Sequence, residues 1–269
     1  MTHRIDAPYD WLQKRNQLGQ TELKVGRLGM GSSYMAPAGA FEAAFDAGCN
    51  LFYWGALRTP QMTKALRNII ASGRRDQIVI ALQSYIRPRG LGWSVRRGLR
   101  RLGIDRADIL LLGWHNREPS PRIIDEAMAI KEKGLVRYLG ITGHHRPLFA
   151  DLAGDGRFDL FMLRYNAAHR GAETDVFPFL GNNPPGIIAF TATCWKSLLK
   201  PGKIPEGEKI PTGGDCYRFV LSHPQVDVTI TAPSSLKQME ENLIETAKGP
   251  MTEDELAWMR RIGDAVYGK

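Results

Sequence analysis

Short runs of large aliphatic residues recur along the chain, and small, aromatic or ionisable residues follow them. The clearest run, Ile109-Leu-Leu-Leu112, is too short for a helix and lacks the alternation of a half-exposed strand. It therefore predicts a strand buried on both faces of a parallel sheet. Comparable strand signals, the first with a short hairpin before it, lie at residues 21–32, 50–54, 77–82, 137–141, 160–163, 186–190 and 226–230.

Segments with helical periodicity separate these runs. They lie at residues 38–47, 60–72, 120–134, 215–222, 236–246 and 252–266, together with a basic helix that we expect Ser94 to cap. Eight strand signals alternating with helices predict the α/β class and a closed (β/α)8 TIM barrel, with an N-terminal β-hairpin. We expect one domain over residues 1–269. A doubly wound sheet is the alternative, but Gly29-Met-Gly31 is only a fragment of its glycine fingerprint.

Composition and charge narrow the range of functions. The three cysteines are widely spaced, so we expect reduced thiols and neither a disulfide scaffold nor a cysteine zinc site. No apolar run approaches the roughly 18 residues of a membrane span, and the N-terminus lacks the apolar core of a signal peptide. We therefore expect a cytoplasmic protein without a membrane partner. The residues behind the net charge of +8 are dispersed, which argues against a nucleic-acid partner and favours a small-molecule substrate. The more specific alternative is that this substrate is anionic.

An ordered series of short motifs resembles the aldo/keto reductase family. The resemblance spans Leu23 to Gly263 and rests on Gly29-Met-Gly31, Ala47-Gly-Cys-Asn50, Ile78-Val-Ile-Ala81, Asp108-Ile-Leu-Leu-Leu112, Gly134 to Ile141, Tyr165-Asn166, Ile188-Ala-Phe190, Leu221 to Val226 and Glu240-Glu-Asn-Leu243. Each motif is weak alone, but their order and spacing are specific. The resemblance implies an aldo/keto-reductase-like barrel and NADPH-dependent reduction of an aldehyde or ketone by a tetrad of Asp, Tyr, Lys and His.

The tetrad itself is missing at the matching positions. Carried over by the resemblance, Asp falls at Tyr53, Tyr at Arg58, Lys at Gln83 and His at Gly113. Arg58 cannot donate a proton at neutral pH, and Gln83 supplies no positive charge. The expected proton donor and its supporting charges are therefore replaced.

The resemblance carries over only part of the nucleotide site. The family's Ser-Asn pair becomes Thr142-Gly143 and its Gln becomes Met162, whereas the aromatic survives as Phe190. The phosphate-binding positions fall at Ala232, Pro233 and Gln238. Candidate cofactor-binding residues are Thr142, Phe190, Thr191, Ser234, Ser235, Glu241 and Asn242. NADPH is the cofactor that the resemblance implies, and the alternative is no cofactor.

Other ionisable and aromatic residues follow the predicted strands at the barrel's carboxyl end, where such barrels keep their chemistry. The catalytic candidates are Tyr53, Gln83 and His115; His115 lies two residues beyond Gly113, so a continuing strand would return it to the same face. Candidate substrate contacts are Trp54, Arg58, Tyr85, Trp114, Asn116, His144, His145, Arg164, Asn166 and Trp195. Each has a structural alternative: His115 as a packed loop residue, His144-His145 as a helix cap, Tyr53-Trp54 as filling of the barrel mouth, and Gln83 as a neutral plug.

Three hypotheses for function remain open. The first is a divergent NAD(P)H-dependent oxidoreductase with Tyr53 or His115 as proton donor. The second is a non-redox lyase, dehydratase or isomerase in which those two residues act as acid and base. The third is a catalytically inactive binding protein. No spacing matches a metal-ligand motif, so we predict no metal site. Residues 86–93 and 195–214 are expected to form most of the pocket walls.

Overall fold

Parallel strands form a closed barrel in the computed structural model, which describes residues 9–55, 58–85 and 90–268. An antiparallel hairpin of β1 (Asn16–Gln17) and β2 (Lys24–Val25) precedes the barrel. The barrel strands are β3 (Leu28–Gly31), β4 (Leu51–Trp54), β5 (Val79–Ser84), β6 (Ala107–Leu112), β7 (Val136–Gly143), β8 (Leu160–Arg164), β9 (Gly186–Phe190) and β10 (Val228–Thr231). Each pairs with the next, and β10 closes the ring against β3. The predicted eight-stranded barrel and hairpin are confirmed.

Helices connect and cover the strands. They are α1 (Asp10–Gln13), α2 (Ala38–Asp46), α3 (Pro60–Ala71), α4 (Leu91–Leu102), α5 (Pro121–Glu132), α6 (Arg146–Ala153), α7 (Ala172–Asp175), α8 (Gly213–Leu221), α9 (Leu236–Ala247) and α10 (Glu253–Tyr267). The expectation that Ser94 caps the basic helix is wrong, because α4 begins at Leu91 and Ser94 lies in its first turn. Among the helices described, we find none with the length and apolarity needed to cross a membrane.

Alternation along each strand divides the core into two layers. Side chains that point inward fill the barrel and include Leu51, Ala81 and Leu111. Those that point outward pack against the helices and include Phe52, Leu82 and many helical residues. Because successive strand residues face opposite sides, Tyr53 belongs to the inner layer and its neighbour Trp54 to the outer one.

Ion pairs and capping contacts connect helices within the outer layer. The buried guanidinium of Arg218 on α8 donates to both carboxylate oxygens of Glu255 at 2.7 and 2.8 Å and to the carbonyl of Gly249 at 2.8 Å. Glu255 also accepts from the backbone of Thr252 at the start of α10. This network ties the start of α10 and the segment before it to α8.

Candidate active site

A cavity of about 540 Å³ opens at the carboxyl ends of the barrel strands. Strand β4 brings Tyr53 to it, β5 brings Gln83, β7 brings Thr142 and β9 brings Phe190. The candidate residues that line it are Tyr53, Arg58, Gln83, Tyr85, Trp114, Thr142, His144, Phe190, Thr191 and Trp195. Barrel closure therefore brings together residues that are far apart in the sequence.

Two tyrosine hydroxyls meet in this cavity. The Oη atoms of Tyr53 and Tyr85 lie 3.1 Å apart and share a hydrogen bond. Burial raises the pKa of Tyr53 above its usual value, and the neighbouring Tyr85 hydroxyl adds to the rise. Tyr53 therefore stays a neutral phenol at physiological pH. Tyr85 is exposed, so the pair connects the half-buried phenol to solvent.

The side chain of Gln83 is 2% exposed, and among the described residues neither its amide nitrogen nor its amide oxygen has a hydrogen-bond partner. The next strand makes room for it. A methyl group on Gly113 would lie 2.6 Å from Nε2 of Gln83 and 2.8 Å from Cδ1 of Tyr85. The absence of a side chain at Gly113 thus lets both residues reach the cavity.

Aromatic rings form much of the cavity wall. The Trp114 ring contacts Tyr85 edge-on at 5.4 Å, and the His144 ring contacts Phe190 edge-on at 5.7 Å. Burial lowers the pKa of His144, and the positive charge of Arg164 lowers it further. His144 is therefore a neutral imidazole at neutral pH. Such walls suit a planar ligand.

Charge around the cavity is one-sided. Among the described lining residues, Arg58 is the cation and no carboxylate is present. Its guanidinium donates to the carbonyl of Ser33 at 2.9 Å. Arg164 lies just behind the wall, with its guanidinium 5.6 Å from the ring of Trp195. The surroundings therefore favour an uncharged or negatively charged ligand over a cation.

Strained backbone is concentrated around this opening. Within the described part of the chain, the non-glycine residues in the left-handed region are Met35, Arg58, Trp114, Thr191, Cys194, Trp195 and Lys196. All follow the carboxyl end of a barrel strand, namely β3, β4, β6 or β9. Left-handed backbone is costly for non-glycine residues and clusters at binding and catalytic sites.

The structure places several candidate residues outside the cavity. Trp54 is buried in the outer layer, where its indole donates to Thr63 at 2.9 Å, so a substrate contact does not fit its position. His115 does not line the cavity either. The strand ends at Leu112 and the chain turns at Trp114, whose φ is 51°, so the two-residue periodicity does not reach His115.

Two of the predicted substrate-contact residues instead form hydrogen bonds with the backbone of neighbouring loops. The side-chain oxygen of Asn116 accepts from the backbone of His144 and His145, immediately before α6. Asn166 is fully buried and donates to the carbonyl of Thr191 at 2.9 Å. His145 and Asn116 line a separate surface depression. Arg164 is near the cavity but not in its lining.

A groove continues from the cavity towards α9. A second cavity of about 430 Å³ shares Tyr34, Thr193, Tyr217 and Ala232 with the first. Its far end is lined by Glu241 and Asn242, two of the candidate cofactor residues. The site is therefore elongated.

A family model of the aldo/keto reductase family matches residues 25–211. The chain belongs to the aldo/keto reductase family. Among solved structures, the aldo-keto reductase AKR11C1 from Bacillus halodurans is similar in its holo form (TM-score 0.76, 22% identity, 93% of this chain and 96% of that one). An aldo/keto reductase from Klebsiella pneumoniae in complex with NADP and acetate is also similar (TM-score 0.76, 20% identity, 93% and 95% covered). No curated protein matches this chain.

The cavity end of the groove fits the nicotinamide part of an aldo/keto reductase cofactor. Phe190 offers a ring face or edge, and Thr142 and Thr191 lie beside it with polar side chains. These residues share one cavity with the Tyr53–Tyr85 pair. A nicotinamide bound here would therefore lie in the same space as a substrate that contacts Tyr53.

The α9 end fits the 2′-phosphate of NADPH poorly. The amide oxygen of Gln238 already accepts from the backbone nitrogen and hydroxyl of Ser234, at 2.8 and 3.0 Å. Ser235 caps α9 by accepting from the backbone of Gln238. Among the described groove residues here, Lys196 is the cation, whereas Glu241 and Glu245 are carboxylates. Among the described residues, this end therefore lacks the cluster of free donors and cations that the 2′-phosphate of NADPH requires.

Residues that sequence reasoning missed complete the site. The cavity is also lined by Ser33, Tyr34, Ala192, Thr193, Tyr217 and Ile230. Ser33, Tyr34 and Thr193 lie within three residues of the ends of β3 and β9, so the strand-end rule could have found them. Tyr217 lies on α8 and carries no such signal.

Metal ligation finds no support in the described ranges. No group of three or more His, Cys, Asp or Glu side chains there is arranged to hold an ion. The Nδ1 atom of His169, for example, lies 3.3 Å from Oδ1 of Asn166 and 3.5 Å from Sγ of Cys194, so this side chain makes contacts within the loops around it. The carboxylate of Glu118 is also engaged, because it pairs with Arg157 at 2.7 Å.

Proposed function

We propose that this chain is an oxidoreductase of the aldo/keto reductase family that acts on a small planar polar molecule, with NADH as its cofactor. The observation that carries the proposal is the shared cavity. The Tyr53–Tyr85 hydroxyl pair and the ring of Phe190 line the same space, and that space continues into a groove towards α9. NADH, which lacks the 2′-phosphate of NADPH, is the preferred nucleotide. The α9 end carries the carboxylates of Glu241 and Glu245, which would repel that phosphate, and the donors of Ser234 are already engaged.

Tyr53 is the proton donor in this proposal. The bound nicotinamide would supply a hydride to the substrate carbonyl carbon. The Oη atom of Tyr53 donates its proton to the carbonyl oxygen, and Tyr85 returns a proton to Tyr53 from solvent across their hydrogen bond of 3.1 Å. Because burial raises the pKa of Tyr53, the donor is fully protonated at neutral pH. The same burial makes it a weaker acid than an unperturbed phenol.

In this proposal, the remaining residues that line the cavity bind and orient the substrate. Trp114, Tyr85 and Trp195 offer ring surfaces that exclude water from a planar substrate. Arg58 gives the mouth a positive charge, which would favour a substrate with an anionic group at its outer end. His144 is neutral and lines the wall beside Phe190, where it can accept or donate one hydrogen bond.

A non-redox acid–base enzyme is the second candidate. The observation in its favour is the engagement of Ser234 by Gln238, which removes donors from the groove. In that case the Tyr53–Tyr85 pair would act on the substrate without a nucleotide. A binding protein without catalysis would use the same aromatic walls.

Nucleotide titration separates these candidates. Trp114 and Trp195 line the cavity, so their fluorescence should change when NADH binds, with a dissociation constant in the micromolar range and weaker binding of NADPH. Trp114→Phe and Trp195→Phe should each reduce the signal. Trp11→Phe is the matched control, because Trp11 stacks near Arg27 at the other end of the barrel. Absence of binding at millimolar concentrations of both nucleotides would refute the redox proposal and favour the acid–base candidate.

A further inference from the structure

Gln83 is a buried polar side chain that no other described residue satisfies. Both amide atoms are buried and lack a hydrogen-bond partner among the described residues, and the side chain lines the carboxyl-end cavity. Leaving a buried amide without hydrogen-bond partners is destabilising, and native proteins contain few such groups. The position therefore needs an explanation beyond packing.

Packing alone would favour an apolar residue here. Below Gln83 on β5, the inward-facing residues Val79 and Ala81 are apolar, and a methionine would fill a similar length without unsatisfied polar atoms. The surroundings are arranged to admit the amide. A Cβ atom on Gly113 would lie 2.6 Å from Nε2 of Gln83, so a side chain at this neighbouring position would displace the amide.

We propose that Gln83 recognises an uncharged hydrogen-bonding edge of the substrate, a donor and an acceptor side by side, as in a primary carboxamide or a lactam. The inference rests on the proposed function only in placing the substrate in this cavity. The Nε2 atom of Gln83 donates to the substrate carbonyl, and its Oε1 atom accepts from the substrate N–H. Gln83 is thus a specificity residue at the cavity wall.

The same geometry disfavours the simplest alternatives. A carboxylate has no donor for Oε1 of Gln83, so one of its oxygens would face the amide oxygen in a buried place. A lone ketone would leave Oε1 without a partner. The rings of Tyr85 and Trp114, 5.4 Å apart, supply the apolar contact for the planar part of the ligand.

Binding of benzamide and benzoate to the full chain tests this inference. We expect benzamide to bind about 10-fold or more tightly than benzoate, since two hydrogen bonds are at stake. Gln83→Met should remove that preference while leaving the melting temperature of the unliganded protein unchanged or raised. Gln83→Glu, which keeps the shape but has no donor in its ionised form, should also weaken benzamide binding at a pH where the carboxylate is ionised.

The outcomes are distinguishable from failure of the proposed function, because NADH is titrated on the same samples. Equal binding of benzamide and benzoate by a protein that binds NADH would overturn the inference and leave the redox proposal standing. A marked fall in melting temperature in Gln83→Met would show a structural role and would also overturn it. A benzamide preference that survives in both variants would show that Gln83 does not recognise the substrate amide and would overturn the inference.

Discussion

Replacement of Gly113 by alanine tests how the cavity is built. The added methyl group would lie 2.6 Å from Nε2 of Gln83, 2.8 Å from Cδ1 of Tyr85 and 3.0 Å from the carbonyl oxygen of Ser84. Two of these contacts are with side chains that can move, whereas the third is with backbone. Overpacking of this kind costs about 1–3 kcal/mol. The loss of backbone freedom in the unfolded chain returns about 0.4–1 kcal/mol.

We therefore expect Gly113→Ala to lower the free energy of unfolding by about 1–2 kcal/mol. Urea denaturation measures this change, and the displaced Gln83 should also weaken benzamide binding. Gly39→Ala is the control, because a methyl group at this helical position meets nothing within 4 Å and should stabilise by about 0.5–1 kcal/mol. A Gly113→Ala protein as stable as the control, with unchanged benzamide affinity, would refute the reasoning.

Three further predictions concern charged groups. Burial raises the pKa of Asp227 to about 6, so the stability that this group contributes is present at low pH and is lost as the pH rises through about 6. The free energy of unfolding of Asp227→Asn, measured by urea denaturation at pH 4 and at pH 8, should therefore rise by about 2 kcal/mol relative to that of the wild type between these two pH values. Arg218→Met removes the guanidinium that donates to Glu255 and to the carbonyl of Gly249 and should cost about 2 kcal/mol in the same assay at pH 7, while an unchanged midpoint would contradict its role in tying α10 to α8. Arg58→Gln should weaken binding of 4-carbamoylbenzoate by up to about fivefold without affecting benzamide, and equal effects on both would exclude a charge interaction.

The barrel was predictable because its strands are buried on both faces. Runs such as Ile109 to Leu112 are continuous and apolar, and the helices between them carry clear periodicity, so element order followed from pattern alone. Boundaries were less predictable. Ser94 looked like a helix cap, but Gly90 precedes a first turn that begins at Leu91. Local preference for serine at a cap was weaker than the demand to bury Leu91 and Val95.

The site was predictable only where strands continue regularly. Alternation along β4 separates Tyr53 from Trp54, and applying it strictly would have removed Trp54 from the candidates. The position of His115 could not be predicted, because the residue with left-handed backbone is Trp114, a residue type that does not indicate such a turn. Asn116 accepts hydrogen bonds from residues 28 and 29 positions later, a contact that depends on the neighbouring strand and not on local sequence. The unsatisfied amide of Gln83 likewise emerges only when all its neighbours are known.

The central claim is that Tyr53 supplies the proton in a nicotinamide-dependent reduction. The direct measurement is oxidation of NADH by the full chain in the presence of planar aldehydes and ketones that carry a carboxamide group. Tyr53→Phe is compared with Tyr138→Phe, whose hydroxyl accepts from the backbone of Glu22 at the opposite end of the barrel. We predict NADH oxidation with at least one such carbonyl, a loss of about 100-fold or more in Tyr53→Phe, and full activity in Tyr138→Phe. Binding of NADH and of the carbonyl without oxidation of NADH, or equal activity in both variants, would contradict the account.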